Sequence, residues 1–168
     1  MSEPGTKKQA AVRLRAGATE VVFLREHDRW RHVVALADGS RLESVEGPRN
    51  TTADPRWPAS PALTEVSLVG AAGRPAIVGL GLAGRSHFSV SVAAHPDRPD
   101  TLLFEVACRI QDPPAWLGST YRAADGGSMQ AEPQAADTNL PQTVQWSYAV
   151  GPDGMVPLPP AAVQPRQP

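Results

Sequence analysis

From Val12 onward, short apolar runs recur every eight to twelve positions, several with clean alternation, and Gly, Pro, Asp and Asn separate them. They cover residues 11–16, 20–26, 30–36, 41–46, 63–69, 76–82, 86–94, 101–111, 117–122 and 143–150. Alternation with period two puts successive side chains on opposite faces of a strand. Its regular interruption by turn residues is the pattern of a sandwich or barrel. No segment holds a 3.6-residue period over a dozen positions. The chain is therefore expected to be all-β: an antiparallel β-sandwich or partly closed barrel with a meander and Pro-rich loops, over residues 11–150. Residues 1–10 read as a flexible N-terminus, 47–62 with four prolines as a long loop, and 151–168 with six prolines as a disordered tail.

Register is legible in places. In WRHVVALADGSRLESVE a three-residue loop, Ala37-Asp38-Gly39, puts Gly39 in the left-handed position that closes the turn. Trp30, His32, Val34, Leu36 and Leu42 then share one face. In the segments SHFSVSVAA and TLLFEVACRI, matching apolar to apolar sets Phe88 opposite Cys108, Val90 opposite Val106 and Val92 opposite Phe104. Cys108 points inward as a small hydrophobe. Extending the match pairs Leu80 with Phe88, and Val78 with Val90 and Leu68, in a four-stranded meander. The outward face then carries Glu65, Gly81, His87 and Arg109 in one row, and Ser67, Gly79, Ser89 and Ala107 in the next.

Composition narrows the function classes. Pro 18 and Gly 14 make up about a fifth of the chain, which suits strands and turns. Sixteen basic and 17 acidic residues leave a net charge of −1, without the basic excess that neutralises phosphates, so no nucleic-acid partner is expected. No apolar run approaches the ~18 residues of a membrane span, so no membrane association is expected either. Cys108 is alone, so no intrachain disulfide forms. The N-terminus lacks the apolar stretch of a signal peptide, which makes the cytoplasm the expected compartment.

Motifs add little. Gly79-Leu-Gly81-Leu-Ala-Gly84 matches the dinucleotide fingerprint, but an alternating strand follows it where a helix would have to bind the pyrophosphate. No cofactor is expected. The histidines His27, His32, His87 and His95 lack ligand spacing, and no metal is expected. Ser86 and His87 are neighbours on a strand and face opposite ways, so they do not form a nucleophile and base pair. What remains is the outward row: Glu65, His87 and Arg109 stand at the end of a shallow floor that includes Ser89. These four are the candidate ligand-binding residues.

AGRSHFSVSV, LLFEVACRI and LGSTYR resemble the core of an uncharacterised bacterial family of small all-β proteins. The resemblance spans about residues 20–122. It implies a compact β core and carries no function. The expected role is a soluble, non-enzymatic β domain binding a small ligand or a partner protein. Two alternatives stand beside it. One is a small enzyme using Glu65, His87 and Arg109 for acid/base work and anion holding. The other is a structural assembly subunit with the Trp146/Tyr148 strand as its contact.

Overall fold

A computed structural model describes residues 10–71, 73–134 and 139–160. Twelve strands and no helix occur among them: β1 Ala11–Ala16, β2 Thr19–Glu26, β3 Arg29–Ala35, β4 Arg41–Ser44, β5 Glu65–Ala71, β6 Arg74–Ala83, β7 Ser86–Ala94, β8 Leu102–Ile110, β9 Ser119–Ala123, β10 Ser128–Ala131, β11 Gln142–Gly151 and β12 Gly154–Leu158. They form two six-stranded antiparallel sheets packed face to face and not closed into a barrel. Sheet A runs β1-β2-β3-β4-β9-β10, and sheet B runs β12-β11-β8-β7-β6-β5. Each sheet is thus a four-stranded meander extended by a later hairpin.

The register expected for the first hairpin holds. Val34 lies opposite Leu42 and Val33 opposite Glu43, and Gly39 sits at φ 84°. Phe88 lies opposite Cys108, Val90 opposite Val106 and Val92 opposite Phe104. β6 departs from expectation by one residue. Phe88 lies opposite Gly81, not Leu80, while Val78 lies opposite Ser91 and Ser67. A one-residue slip exchanges the faces of a whole strand. Gly79 and Gly81 therefore point into the sandwich, and Val78, Leu80 and Leu82 point out.

The long loop explains the slip. Residues 57–63 do not skirt the surface; Trp57, Ala59, Ala62 and Leu63 are all buried. They run into one end of the sandwich, where Trp30 N donates to Leu63 O at 2.9 Å and Ser60 Oγ donates to Thr120 O at 3.0 Å. A Cβ on Gly81 would stand 1.8 Å from Ala62 O. The loop backbone thus occupies the space that side chains on β6 would fill.

Two further departures lie at the ends. β12 falls within the stretch expected to be a tail: a Gly151–Gly154 turn folds it back on β11, with Val156 opposite Ala149. Pro157 is tolerated there because β12 is an edge strand. The expectations for residues 1–9 and 161–168 lie outside the described residues. Val144, Trp146, Tyr148 and Val150, expected as an assembly contact, are all buried in the core.

Candidate functional site

The strands of sheet B bring the four candidate residues to one outer face. His87 at the start of β7 lies directly opposite Arg109 near the end of β8. Ser89 lies opposite Ala107 in the next row. Glu65 belongs to that second row, opposite Leu80, so Leu80 and not Gly81 stands between Glu65 and Ser89. Together they line a shallow depression of about 450 Å³, with Leu82 and Thr143 also in its lining. No hydrogen bond or ion pair joins Glu65, His87 and Arg109.

Beside this depression the face continues as a trough of about 530 Å³. Ser89, Ser91, Ala107 and Ser147 contribute to its floor, with Val78 on one side and Pro160 on the other. The β6 side rises as a ridge. Leu80 is 50% and Leu82 52% exposed, and Val78 and Val69 are also exposed. All the exposed large hydrophobic residues among the described ones lie on β5 and β6. These ridge residues were not legible as surface, since Val78 and Leu80 read as inward. The signal that would have found them is the pair of glycines alternating with them, beside a Pro-rich loop that needs room.

A different chemistry sits inside and at the end of sheet A. His32 Nε2 and Tyr121 Oη are 2.6 Å apart, and Tyr121 Oη is 2.8 Å from Tyr148 Oη. The His32 ring stacks on Phe23 and Phe104, with centroids at 4.6 and 5.7 Å. Burial pushes the His32 pKa down to about 3, raises Tyr148 to about 12 and lifts Tyr121 well above its ordinary value. This chain of hydrogen bonds is closed to solvent and carries neutral groups, so it specifies core geometry and does not present a reactive group.

Near the same edge, Glu46 Oε1 accepts from Ser44 Oγ at 2.6 Å, and Ser44 Oγ accepts from His32 N at 2.9 Å. Glu46 Oε2 is buried without a partner. Burial raises the Glu46 pKa to about 7; the Ser44 bond and the charges of Arg29 and Arg31 only partly offset it. Glu46 lines a cleft of about 380 Å³ with Arg29, Arg31 and His27, which has φ 56°. Nothing local in the sequence marks Glu46, because its environment is made by the hairpin turn at His27 and the loop start at Gly47.

Among the described residues, no three His, Cys, Asp or Glu side chains group as metal ligands, and no helix is long and apolar enough to cross a membrane. Cys108 is fully buried, and its thiol is pushed up to about 12 by burial. No family model matches the chain, and neither a curated protein nor a solved structure matches it at significance.

Proposed function

We propose that this protein is a non-enzymatic, cytoplasmic binding module that docks another protein chain on the outer face of sheet B. The observation that carries the reading is the segregation of exposed apolar side chains. Val69, Val78, Leu80 and Leu82 stand exposed on this face beside a floor that includes Ser, Ala and Glu105, while Leu68, also exposed, shares the opposite face of β5 with the inward Ile77 across from it. Contiguous apolar surface next to a smooth trough favours a protein partner, which supplies complementary relief over a wide area. An acid/base enzyme is disfavoured, because Glu65 and His87 sit in different rows without a hydrogen bond between them.

A small-ligand reading rests on one further feature. His87 and Arg109 stand side by side across the strands in the lining of the depression, which suits a carboxylate or phosphate. Titration with inorganic phosphate, followed by the shifts of the His87 ring protons, separates the two readings. Saturable shifts abolished by Arg109→Ala support the small anion.

The docking reading is tested with Leu80→Glu. In dilute solution the wild-type protein should bind the apolar dye anilinonaphthalene sulfonate, and the variant should lose that binding with little change in Tm. A large fall in Tm would mean that Leu80 is packed within the fold and that no such docking surface exists.

A further inference from the structure

We infer that the partner docked on the outer face of sheet B is a second copy of this chain, related by a two-fold axis that runs along the strands between β6 and β7. This rests on the docking reading above and adds the identity of the partner.

The first argument is relief. On this face a ridge, β6, lies directly beside a floor, β7. A two-fold rotation about an axis parallel to the strands preserves strand direction and exchanges β6 with β7 and β5 with β8. The row order along the strands is kept. Leu80 of one copy then lies over Ser89 of the other, and Val78 over Ser91, because Leu80–Ser89 and Val78–Ser91 are the register pairs within one chain. Each ridge fills the other copy's trough. A surface with its bump and its hollow side by side is self-complementary under this operation, which is the requirement of an isologous interface.

The second argument is charge. The same rotation carries β5 onto β8, so Glu65 comes to lie over Ala107 of the second copy, with Arg109 one outward position to one side and Glu105 one outward position to the other, and its carboxylate turns toward the guanidinium and away from the carboxylate. Two such contacts form, one on each side of the axis. Within one chain the two residues cannot make this pair, since β5 and β8 are three strand spacings apart, about 14 Å. Neither residue makes a hydrogen bond or ion pair with another of the described residues. Opposite charges at the rim of an apolar contact fix its register.

The third argument is size. Four strands at ~4.8 Å spacing and nine residues at ~3.3 Å give a projected contact of about 570 Å² a side. That total of about 1,140 Å² lies at the low end of specific interfaces. Three of the four strand edges fit this choice of face, while the fourth, β5, carries the exposed Leu68 and Val69. β1 carries Arg13 and Arg15, β10 has only four residues, and β12 contains Pro157, all features that discourage edge pairing.

Sedimentation velocity of the full chain between about 1 and 100 µM, a span that brackets micromolar Kd values, tests the inference. The expected result is a concentration-dependent monomer–dimer equilibrium that Leu80→Glu shifts to monomer by at least tenfold in Kd. Glu65→Arg and Arg109→Glu should each weaken the dimer several-fold, and the double variant should restore it, since the swapped charges meet again across the axis. A dimer indifferent to Leu80→Glu, or a double variant no better than the singles, overturns the inference. A monomer at every concentration that still binds the dye through Leu80 overturns it too, but leaves the docking reading standing for a different protein. A monomer that binds no dye ends both.

Discussion

On the outside of sheet A, Val22, Leu24 and Val33 are half-buried, whereas on the outside of sheet B, Leu80 and Leu82 are about half exposed. The strands are alike in pairing and both faces lie outside the sandwich, so the difference comes from cross-strand neighbours. Arg13 stands opposite Val22, Arg31 opposite Leu24 and Glu43 opposite Val33. Arg13 and Arg31 are ion-paired, to Glu20 at 3.8 Å and to Glu26 at 2.9 Å, and long side chains of this kind cover apolar neighbours with their stems. Such exposed pairs stabilise little by themselves, about 0–1 kcal/mol each. What they supply is cover. On sheet B the neighbours of Val78 are Ser67 and Ser91, and those of Leu80 are Glu65 and Ser89. Three serines and a rim carboxylate leave the ridge bare. One face is covered by charged side chains, and the other leaves its apolar ridge exposed.

The comparison depends first on β6 facing the way it does. Gly81→Val should be the most damaging change, destabilising by about 3–5 kcal/mol or preventing folding, because a side chain there collides with the Ala62 backbone. Urea denaturation measures it. A cost below about 1 kcal/mol would put Gly81 on the outside and the leucines inside, and the contrast between the faces would vanish.

Sheet A also carries its polar chemistry inward, so it should dominate the pH response. Burial holds His32 neutral down to about pH 3, while an unfolded histidine protonates near 6.5. Its contribution is complete above pH 6.5 and is lost as pH falls toward 3. Glu46 has the opposite sign. Its folded form keeps a proton up to about pH 7, whereas the unfolded chain releases it near 4.5, so this residue's contribution rises as pH falls from 7 to 4.5. The two slopes oppose each other between pH 4.5 and 6.5. Glu46→Gln should raise stability at pH 8 by about 1–3 kcal/mol and expose the His32 slope, with stability falling steadily below pH 6.5. Chemical denaturation across pH 4–8 checks both halves. A variant as flat as wild type through that window would contradict the assigned environments.

Smaller effects sharpen the contrast from the inside of sheet B and from both surfaces. Cys108→Ala should cost about 1 kcal/mol, and Cys108 in the folded protein should resist a thiol reagent that labels it rapidly in denaturant. Fast native labelling would mean the β7–β8 register is wrong. Arg31→Ala should cost up to about 1 kcal/mol by uncovering Leu24, while Leu80→Ser should change stability by less than about 0.5 kcal/mol. If Leu80→Ser is the costlier of the two, the bare face is on the other sheet.

Where both partners alternate cleanly, as in Phe88–Val92 against Phe104–Cys108, pairing by like with like gave the observed register. Residues 77–82, Ile-Val-Gly-Leu-Gly-Leu, offer no such choice, since glycine reads as small on either face. What decides between the faces is the backbone at Ala62, brought there by a loop from fifteen or more residues away. β10 and β12 were hidden for a simpler reason: SMQA and GMVPL are too short and too mixed to alternate, and only pairing with β9 and β11 makes them strands. Glu65, Ser89, His87 and Arg109 were placed on a common face because the parity of β5, β7 and β8 was read correctly. The ridge that adjoins them was not, because it depends on β6.

The proposed dimer seats the ridge on β6 of one molecule on β7 of another. Its most direct test is an isotope-filtered NOE experiment on an equimolar mixture of ¹³C-labelled and unlabelled protein, at a concentration where the dimer is populated. Cross-peaks from the methyl groups of labelled Leu80 to the β-protons of unlabelled Ser89, and from labelled Val78 to unlabelled Ser91, are the predicted result. Their absence in a sample whose rotational correlation time already reports a dimer would show that the copies meet through another surface.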